Sequence, residues 1–168
     1  YDPISTKRTV EESIRRNANA ALSAATLITT TKLKNFDGLS RKKVQDYAIW
    51  HIRSIACQHQ STSLGGWGET WQSTLWAATA GQAGWLLWDR LSEAERGYVA
   101  AMVEGEANAA ARRGPRYFRD RAGTEISPGN SKADEVSWDL LAPTLALAMM
   151  PKHKNAKIWK ESAIALSL

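Results

Sequence analysis

The stretch that decides the fold runs from Gly65 to Arg90 and reads GGWGETWQSTLWAATAGQAGWLLWDR. It holds five of the chain's eight tryptophans, so much of the aromatic surface that needs burial or a ligand is concentrated here. From Thr70 onward, apolar and small residues recur at intervals of three or four, which is the spacing of one helix face. They are Leu75, Ala78, Gly81, Trp85 and Trp88. This spacing predicts a central, nearly buried helix from Thr70 to Arg90.

Two glycines lie in the middle of that helix, Gly81 and Gly84, with alanines around them. Glycine inside a helix costs roughly 1 kcal/mol relative to alanine unless a close approach of another element offsets the loss. The glycines therefore predict that neighbouring helices pack tightly against the central one.

The composition fits one globular domain. The chain has 168 residues, of which 43% are hydrophobic and 23% charged, and no apolar run is long enough to cross a bilayer. Its single cysteine cannot form an internal disulfide, so packing must hold the fold together. Because the sequence begins at Tyr1 with no signal-like segment, we expect a piece of a longer natural chain; secretion and a cytoplasmic location both stay open.

A formal charge of +5 raises the question of nucleic-acid binding. The lysines and arginines are dispersed along the chain and mostly alternate with acids, which is typical of solvated helix faces. We therefore expect no nucleic-acid partner.

Helical signals flank the central stretch on both sides. Ser40 and the Ser92/Glu95 pair are placed to cap helices, and Gly114-Pro115 ends one. The predicted helices besides the central one run from Val10 to about Lys34, from Arg41 to about Gln60, from Ser92 to about Arg113, between Ser131 and Pro151, and from about Asn155 to Leu168. No strand signal accompanies the first four. The prediction is an all-α domain of about six helices in successive antiparallel αα-hairpins, forming either a compact bundle or an arc of an α/α toroid.

Several catalytic and cofactor motifs are missing from the sequence. It has no P-loop, no G-x-G-x-x-G after a strand, no H-E-x-x-H, no paired C-x-x-C and no G-x-S-x-G. The three histidines are too scattered to indicate a metal site, so each is interpreted as a surface or core-edge residue. We therefore expect neither a metal nor a cofactor.

Two polar segments at helix entrances are the candidate sites. The first is Trp67-Gly68-Glu69-Thr70-Trp71-Gln72, at the start of the central helix. A carboxylate at the positive end of a helix is suited to act as nucleophile, base or cation ligand. The alternative interpretation of this segment is structural: Glu69 is an ordinary acidic residue at a helix N-terminus, and Trp67 covers the end of the bundle.

The second segment is Pro128-Gly129-Asn130-Ser131-Lys132-Ala133-Asp134-Glu135, followed by Trp138. It resembles the floor of a polar pocket, although a capped helix start with a surface Lys132–Glu135 pair explains it equally well. It follows a long segment, Arg116 to Asn130, that lacks helical periodicity and has the length of a functional loop.

Both segments precede odd-numbered helices, the third and the fifth. In an α/α toroid, alternate helices form the inner ring, and the loops at their N-terminal ends lie around the same opening of that ring. Glu69 and Asp134 or Glu135 are then the candidate catalytic carboxylates of a glycosidase. Alternatively, Tyr117 is the base of a lyase and Arg116 neutralises a uronate carboxylate. The candidate substrate-binding residues are Trp67, Trp71, Gln72, Asn130, Lys132, Trp138 and Arg116.

Three pieces of the chain carry a resemblance: GGWGETWQSTLWAATAG, LLWDRLSEAER and PGNSKADEVSWDLLAPTLALAMMP. They resemble segments of large bacterial proteins with helical toroid domains, similar to glycoside hydrolases and polysaccharide lyases of the α/α type. The resemblance covers roughly Gly65 to Pro151 and implies a carbohydrate-active protein with a poly- or oligosaccharide substrate, without assigning hydrolysis or elimination. A full toroid has about twice as many helices, so the rest of the ring would come from flanking segments or another chain.

Two alternatives stay open from the sequence. One is a noncatalytic helical binding or assembly module whose tryptophans form core and interface. The other is an enzyme acting on an apolar small molecule, such as an isoprenoid, in an aromatic-lined helical cavity.

Overall fold

The computed structural model describes residues 10–70, 72–114, 124 and 133–167, and within these residues the chain forms six α-helices. They are α1 (Val10–Thr30), α2 (Arg41–Ala56), α3 (Ser73–Leu86), α4 (Glu93–Arg113), α5 (Ala133–Met149) and α6 (Ala156–Ser167). The predicted all-α class is confirmed. None of the described helices is long and apolar enough to span a membrane.

The helices are arranged in two layers. α1, α3 and α5 contact one another in that order, and α2, α4 and α6 do the same beside them. Each odd-numbered helix also packs on the even-numbered helix that follows it. The chain is therefore a stack of three αα-hairpins, with α3 in contact with α1, α2, α4 and α5.

Local sequence signals set several helix ends. The Ser40 side chain accepts a hydrogen bond from the Lys43 N–H at the start of α2. Ser92 and Glu95 form the predicted reciprocal capping box of α4. Gly114 ends α4 with a φ of 65°, a left-handed conformation that glycine adopts without steric cost.

A small hairpin that we did not predict joins α1 to α2. Strands β1 (Asn35–Phe36) and β2 (Leu39–Ser40) pair antiparallel around Asp37 and Gly38. Both turn residues have positive φ, 48° and 81°, as the mirror-image turns of tight hairpins require. The Asp-Gly pair was the sequence signal for this turn.

The central helix is shorter than predicted, and one of its faces is open. α3 begins at Ser73, and a short 3₁₀ helix, Trp88–Arg90, follows it. A Cβ added at Gly81 would lie 2.5 Å from a Val103 methyl, so this glycine permits close packing against α4, as the sequence indicated. Trp85, which we placed on the inner face with Gly81, is instead 48% exposed. α3 is apolar all round, so residue spacing alone does not identify its solvent side.

Candidate functional site

The glycine-rich turn before α3 folds back on residues 58–60, which follow α2. The Gln60 N–H donates to the Trp67 carbonyl (2.8 Å), and the Trp67 N–H donates to the Gln58 carbonyl (3.1 Å). Gly66 lies where this approach is tightest, because an added Cβ would be 2.3 Å from the Gln58 carbonyl oxygen. The turn is therefore fixed by backbone contacts that exclude a side chain at this position.

Trp67 lies in the core beneath the turn. Its indole N–H donates to the Ile55 carbonyl (2.9 Å), and the side chain is only 8% exposed. The ring meets the His59 imidazole edge to face, with centroids 4.8 Å apart, and lies 6.3 Å from Trp76. In this arrangement Trp67 anchors the turn to α2 and does not present a ring face to a ligand.

A fully buried carboxylate, Glu106 of α4, organises the residues around the turn. Its Oε1 accepts a hydrogen bond from the Glu69 N–H (2.6 Å) and lies 3.2 Å from His59 Nε2. Its Oε2 accepts from the hydroxyls of Ser73 (2.8 Å) and Thr74 (3.2 Å) at the start of α3. One side chain thus joins α4 to His59 in the segment after α2, to the turn and to the first residues of α3.

The hydrogen bonds keep Glu106 ionised in the interior. Burial alone raises the pKa of a carboxyl group, but the bonds from His59, the Glu69 N–H and Ser73 outweigh it and lower the pKa of Glu106. His59 Nδ1 accepts from the Ser61 N–H (3.2 Å), so its other nitrogen, Nε2, carries the hydrogen that points at Glu106. The imidazole therefore donates a hydrogen bond from Nε2 to a buried anion.

Glu69 connects this buried network to the surface. Its backbone has a φ of 51°, which is uncommon outside glycine and which the short bond to Glu106 stabilises. Its side chain is 46% exposed and forms an ion pair with Arg112 at 2.7 Å. The candidate carboxylate is therefore open to solvent beside a guanidinium group that is itself 62% exposed.

The neighbouring Arg113 reaches towards both α3 and α5. One nitrogen, Nη2, donates to the Thr74 hydroxyl (3.0 Å) and to Asp139 Oδ1 (2.8 Å). Since Thr74 also donates to Glu106, a continuous hydrogen-bonded chain runs from Arg113 to the buried carboxylate. Asp139 is only 2% exposed, so this second ion pair is largely removed from water.

We call the surface formed by Glu69, Arg112, Arg113 and Asp139 the arginine rim. It brings the turn before α3 and the second turn of α5 onto one edge, because Glu69 lies in that turn and Asp139 in α5. The two arginines join these segments from the last turn of α4.

Other predicted site residues lie around or outside this rim. Asp134 is exposed in the first turn of α5, and Glu135, Trp138 and Gln72 are half-buried. Gln72 directly precedes α3 but makes no side-chain capping bond. Five further candidates, Trp71, Arg116, Tyr117, Asn130 and Lys132, lie outside the described residues.

A cleft of about 320 Å³ adjoins the rim between α4 and α6. Arg112 lines it together with Asn108, Asn155 and Ile158. The Asn108 side-chain oxygen accepts from Asn155 Nδ2 (3.1 Å) and from the indole N–H of the buried Trp159 (2.8 Å). Two amide side chains are therefore held in a fixed geometry next to the exposed guanidinium group.

A larger cavity, of about 730 Å³, lies along α2. The aromatic residues that line it are Tyr47, Trp50 and His51, and the Tyr47 and His51 rings stack with centroids 6.3 Å apart. Burial lowers the pKa of His51, so this ring is neutral at neutral pH. No pattern in the sequence indicated this cavity.

Sequence reasoning also missed the central role of Glu106 and His59. Glu106 shares the buried face of α4 with Val99, Met102, Val103 and Ala110. A charged residue within that apolar stripe was the signal, since carboxylates are almost never fully buried unless they are paired. For His59, interpreted as a surface or core-edge residue, only the folded chain reveals the partner, which is 47 residues away.

Comparison of the chain with protein-family models, characterised proteins and solved structures gives no match. Among the residues that the structure describes, no cluster of three histidine, cysteine or acidic side chains is arranged to hold a metal ion.

Proposed function

We propose that this chain is a carbohydrate-active helical domain and that the arginine rim is its saccharide-binding site. One observation carries the proposal: adjacent arginines of α4 are paired with Glu69 from the turn before α3 and with Asp139 from α5. Polar groups from the turn before α3 and from the second turn of α5 thereby meet on one edge of a two-layer stack of hairpins. This arrangement supports the toroid-like architecture that the resemblance implies.

The exposed arginine favours an acidic saccharide. A guanidinium group has a planar fork of donors that matches a carboxylate. Its present partner Glu69 is about half exposed, and surface ion pairs of this kind contribute only about 0–1 kcal/mol. A uronate carboxylate therefore competes with Glu69 for Arg112 at little cost. The Asn108 and Asn155 amides in the adjoining cleft supply hydrogen bonds to sugar hydroxyls.

Elimination follows from this binding mode. Pairing Arg112 with the uronate carboxylate stabilises the negative charge that develops when the neighbouring carbon loses its proton. Glu69, released from Arg112, is the candidate base within the described residues, and Tyr117 is the candidate outside them. As the proton leaves, a carbon–carbon double bond forms and the bond to the glycosidic oxygen breaks. That oxygen departs with a proton from a general acid or water.

Hydrolysis is the alternative reaction at the same site. It needs a second carboxylate about 5–10 Å from the first, depending on whether the anomeric configuration is retained or inverted. Asp134, exposed at the start of α5, is the candidate for this role beside Glu69. The two reactions differ in their products, because only elimination creates an unsaturated uronate.

The test incubates the protein with polygalacturonate, alginate and a neutral glucan. Calorimetry measures binding, ultraviolet absorbance measures the new conjugated double bond, and a reducing-end assay measures total cleavage. We expect binding to the polyuronates only, a loss of at least tenfold in affinity for Arg112→Ala, and little change for Arg96→Ala, a matched substitution at the opposite end of α4. Glu69→Gln should bind but lose turnover.

The results separate the alternatives. Reducing ends without ultraviolet absorbance would assign hydrolysis, and binding without either product would indicate a noncatalytic saccharide-binding module. No binding to any polysaccharide by a folded protein would overturn the proposal.

A further inference from the structure

An unbalanced positive charge lies between the end of α5 and the second turn of α6. The sequence has no acidic residue from position 140 to 160, yet four exposed lysines lie within that stretch: Lys152, Lys154, Lys157 and Lys160. Within the described part of the chain, Lys157 is the one lysine of the four that forms an ion pair. We call residues 152–160 the lysine segment. It departs from the rest of the chain, where basic residues mostly alternate with acids.

The lysine segment supplies one wall of the cleft that adjoins the arginine rim. Its residues Asn155 and Ile158 line the cleft together with Arg112 of α4. Lys154 and Lys157 directly precede these two lining residues in the chain. The cleft therefore has a guanidinium group on its α4 wall and ammonium groups beside its α6 wall.

The ion pair of Lys157 resembles the pair that Arg112 forms with Glu69. Lys157 Nζ lies 3.9 Å from Glu161 Oε1, and the two side chains are 87% and 64% exposed. Water and salt screen a pair of this kind, so an incoming carboxylate can replace Glu161 with little loss. Each wall thus offers a cation that a ligand can recruit.

The amide groups of the cleft fit a ligand that carries hydroxyl groups. The bond between the two walls uses the oxygen of Asn108 and the nitrogen of Asn155, which leaves Asn108 Nδ2 as a donor and Asn155 Oδ1 as an acceptor. The described lining contains no aromatic side chain, whereas single-stranded nucleic acids bind largely by stacking their bases on aromatic rings. The lining therefore favours an anionic saccharide over a nucleic acid.

We propose that this cleft binds a run of consecutive uronate residues. One carboxylate pairs with Arg112, and those of the adjoining sugars pair with the lysine segment. The inference rests on the proposed function and specifies the pattern of charge in its substrate. At about 320 Å³ the cleft is at the lower end of the size of small-molecule sites, so a longer chain extends past it over the exposed lysines. A chain of alternating acidic and neutral sugars offers fewer carboxylates to the same cations and should bind less tightly.

The length and charge pattern of the ligand provide the test. Calorimetry compares uronate tetramers prepared from polygalacturonate and from alginate with a hyaluronan tetrasaccharide, in which glucuronate alternates with a neutral sugar. NMR titration measures the affinity of the uronate monomers. We expect one of the uronate tetramers to bind about tenfold tighter than its monomer and than the hyaluronan tetrasaccharide. Added salt should weaken the tetramer more than the monomer, because more ion pairs are screened.

A matched pair of variants locates the second contact. Lys154→Ala/Lys157→Ala should weaken tetramer binding about tenfold and change the affinity for the monomer, which Arg112 holds, by less than about twofold. The control, Lys42→Ala/Lys43→Ala on α2, removes the same charge and also breaks an exposed ion pair between side chains four residues apart. It lies outside the described cleft lining and should change either affinity by less than about twofold. Circular dichroism verifies that both variants are folded.

The outcomes distinguish this inference from the proposed function. A tetramer that binds no tighter than its monomer, or equal losses in the two double variants, would overturn the inference and leave the arginine rim as a site for a single uronate. No binding of any uronate would overturn both. A thymidylate oligonucleotide that binds as tightly as the uronate tetramers, and that the Lys154→Ala/Lys157→Ala protein no longer binds, would also overturn the inference, because the lysine segment would then recognise phosphates.

Discussion

Glu106 and Glu69 are joined by one hydrogen bond, yet they occupy opposite environments. Glu106 is fully buried and its oxygens face four donors, whereas the Glu69 side chain is 46% exposed and pairs with a single arginine. The buried carboxylate has no freedom to change partners, because its bonds hold together His59, the turn and the start of α3. The exposed one can release its partner to a ligand. Glu106 thus stabilises the fold, and Glu69, to which it is hydrogen-bonded, is the candidate functional group.

Removing the buried carboxylate should have the largest effect. Glu106→Ala deprives the Glu69 N–H, His59 and the Ser73 and Thr74 hydroxyls of their acceptor and leaves a cavity. Removing one partner of a buried charged network costs about 3–5 kcal/mol, a large part of a typical domain's stability. Urea denaturation followed by circular dichroism measures the change.

The control for this prediction is Glu104→Ala on the same helix. Glu104 is about one-third exposed and meets His153 at 3.4 Å, so its loss should cost less than about 1 kcal/mol. Equal losses in the two variants would mean that the Glu106 network does not hold the turn in place.

The tight turn above Glu106 gives the next largest effect. In Gly66→Ala, the new methyl group would meet backbone atoms of residues 58–60 at 2.3–2.8 Å, and backbone cannot rotate away as a side chain can. We expect a loss of about 1–3 kcal/mol. Gly97→Ala in α4 should do the opposite and stabilise by about 0.5–1 kcal/mol, because nothing lies within 4 Å of its added Cβ. Thermal unfolding measures the stability of both variants, and a destabilised Gly97→Ala protein would contradict the prediction.

Acid should weaken the buried region selectively. The pKa of Glu106 is lower in the folded chain than the ordinary value of 4.5, so its contribution to stability is present above that value and is lost as the pH falls through the folded pKa. The difference in unfolding free energy between wild type and Glu106→Gln should therefore be constant near neutral pH and shrink in acid. A difference that does not change with pH would indicate that Glu106 is not ionised in the folded protein.

The sequence predicts features that depend on neighbouring residues and fails where partners are distant. The capping box at Ser92 and the close approach at Gly81 follow from local patterns, and both are confirmed. The predicted start of the central helix at Thr70 was wrong by three residues. Instead of a helical turn, Glu69 bonds to Glu106, and the Thr70 N–H donates to the Ser73 hydroxyl.

The same limit applies to the candidate site. The sequence singled out Glu69 and the start of α5 as polar helix entrances, but it did not show that Arg112 pairs with Glu69 or that Arg113 pairs with Asp139. These arginines belong to the dispersed basic residues that we interpreted as solvated helix faces, and their partners are 43 and 26 residues away. Only the stacking of hairpins brings these groups together, and no local pattern encodes it.

The exposed ion pair should give the smallest change in stability. Because Arg112 and Glu69 are 62% and 46% exposed, Arg112→Ala should alter the unfolding free energy by no more than about 0.5 kcal/mol. Arg113→Ala should cost more, about 1–2 kcal/mol, since it removes bonds to Thr74 and to the buried Asp139. Urea denaturation of both variants measures the difference. An Arg112→Ala protein as unstable as Arg113→Ala would show that Arg112 is fixed in the fold, and a saccharide carboxylate could not then displace Glu69 at little cost.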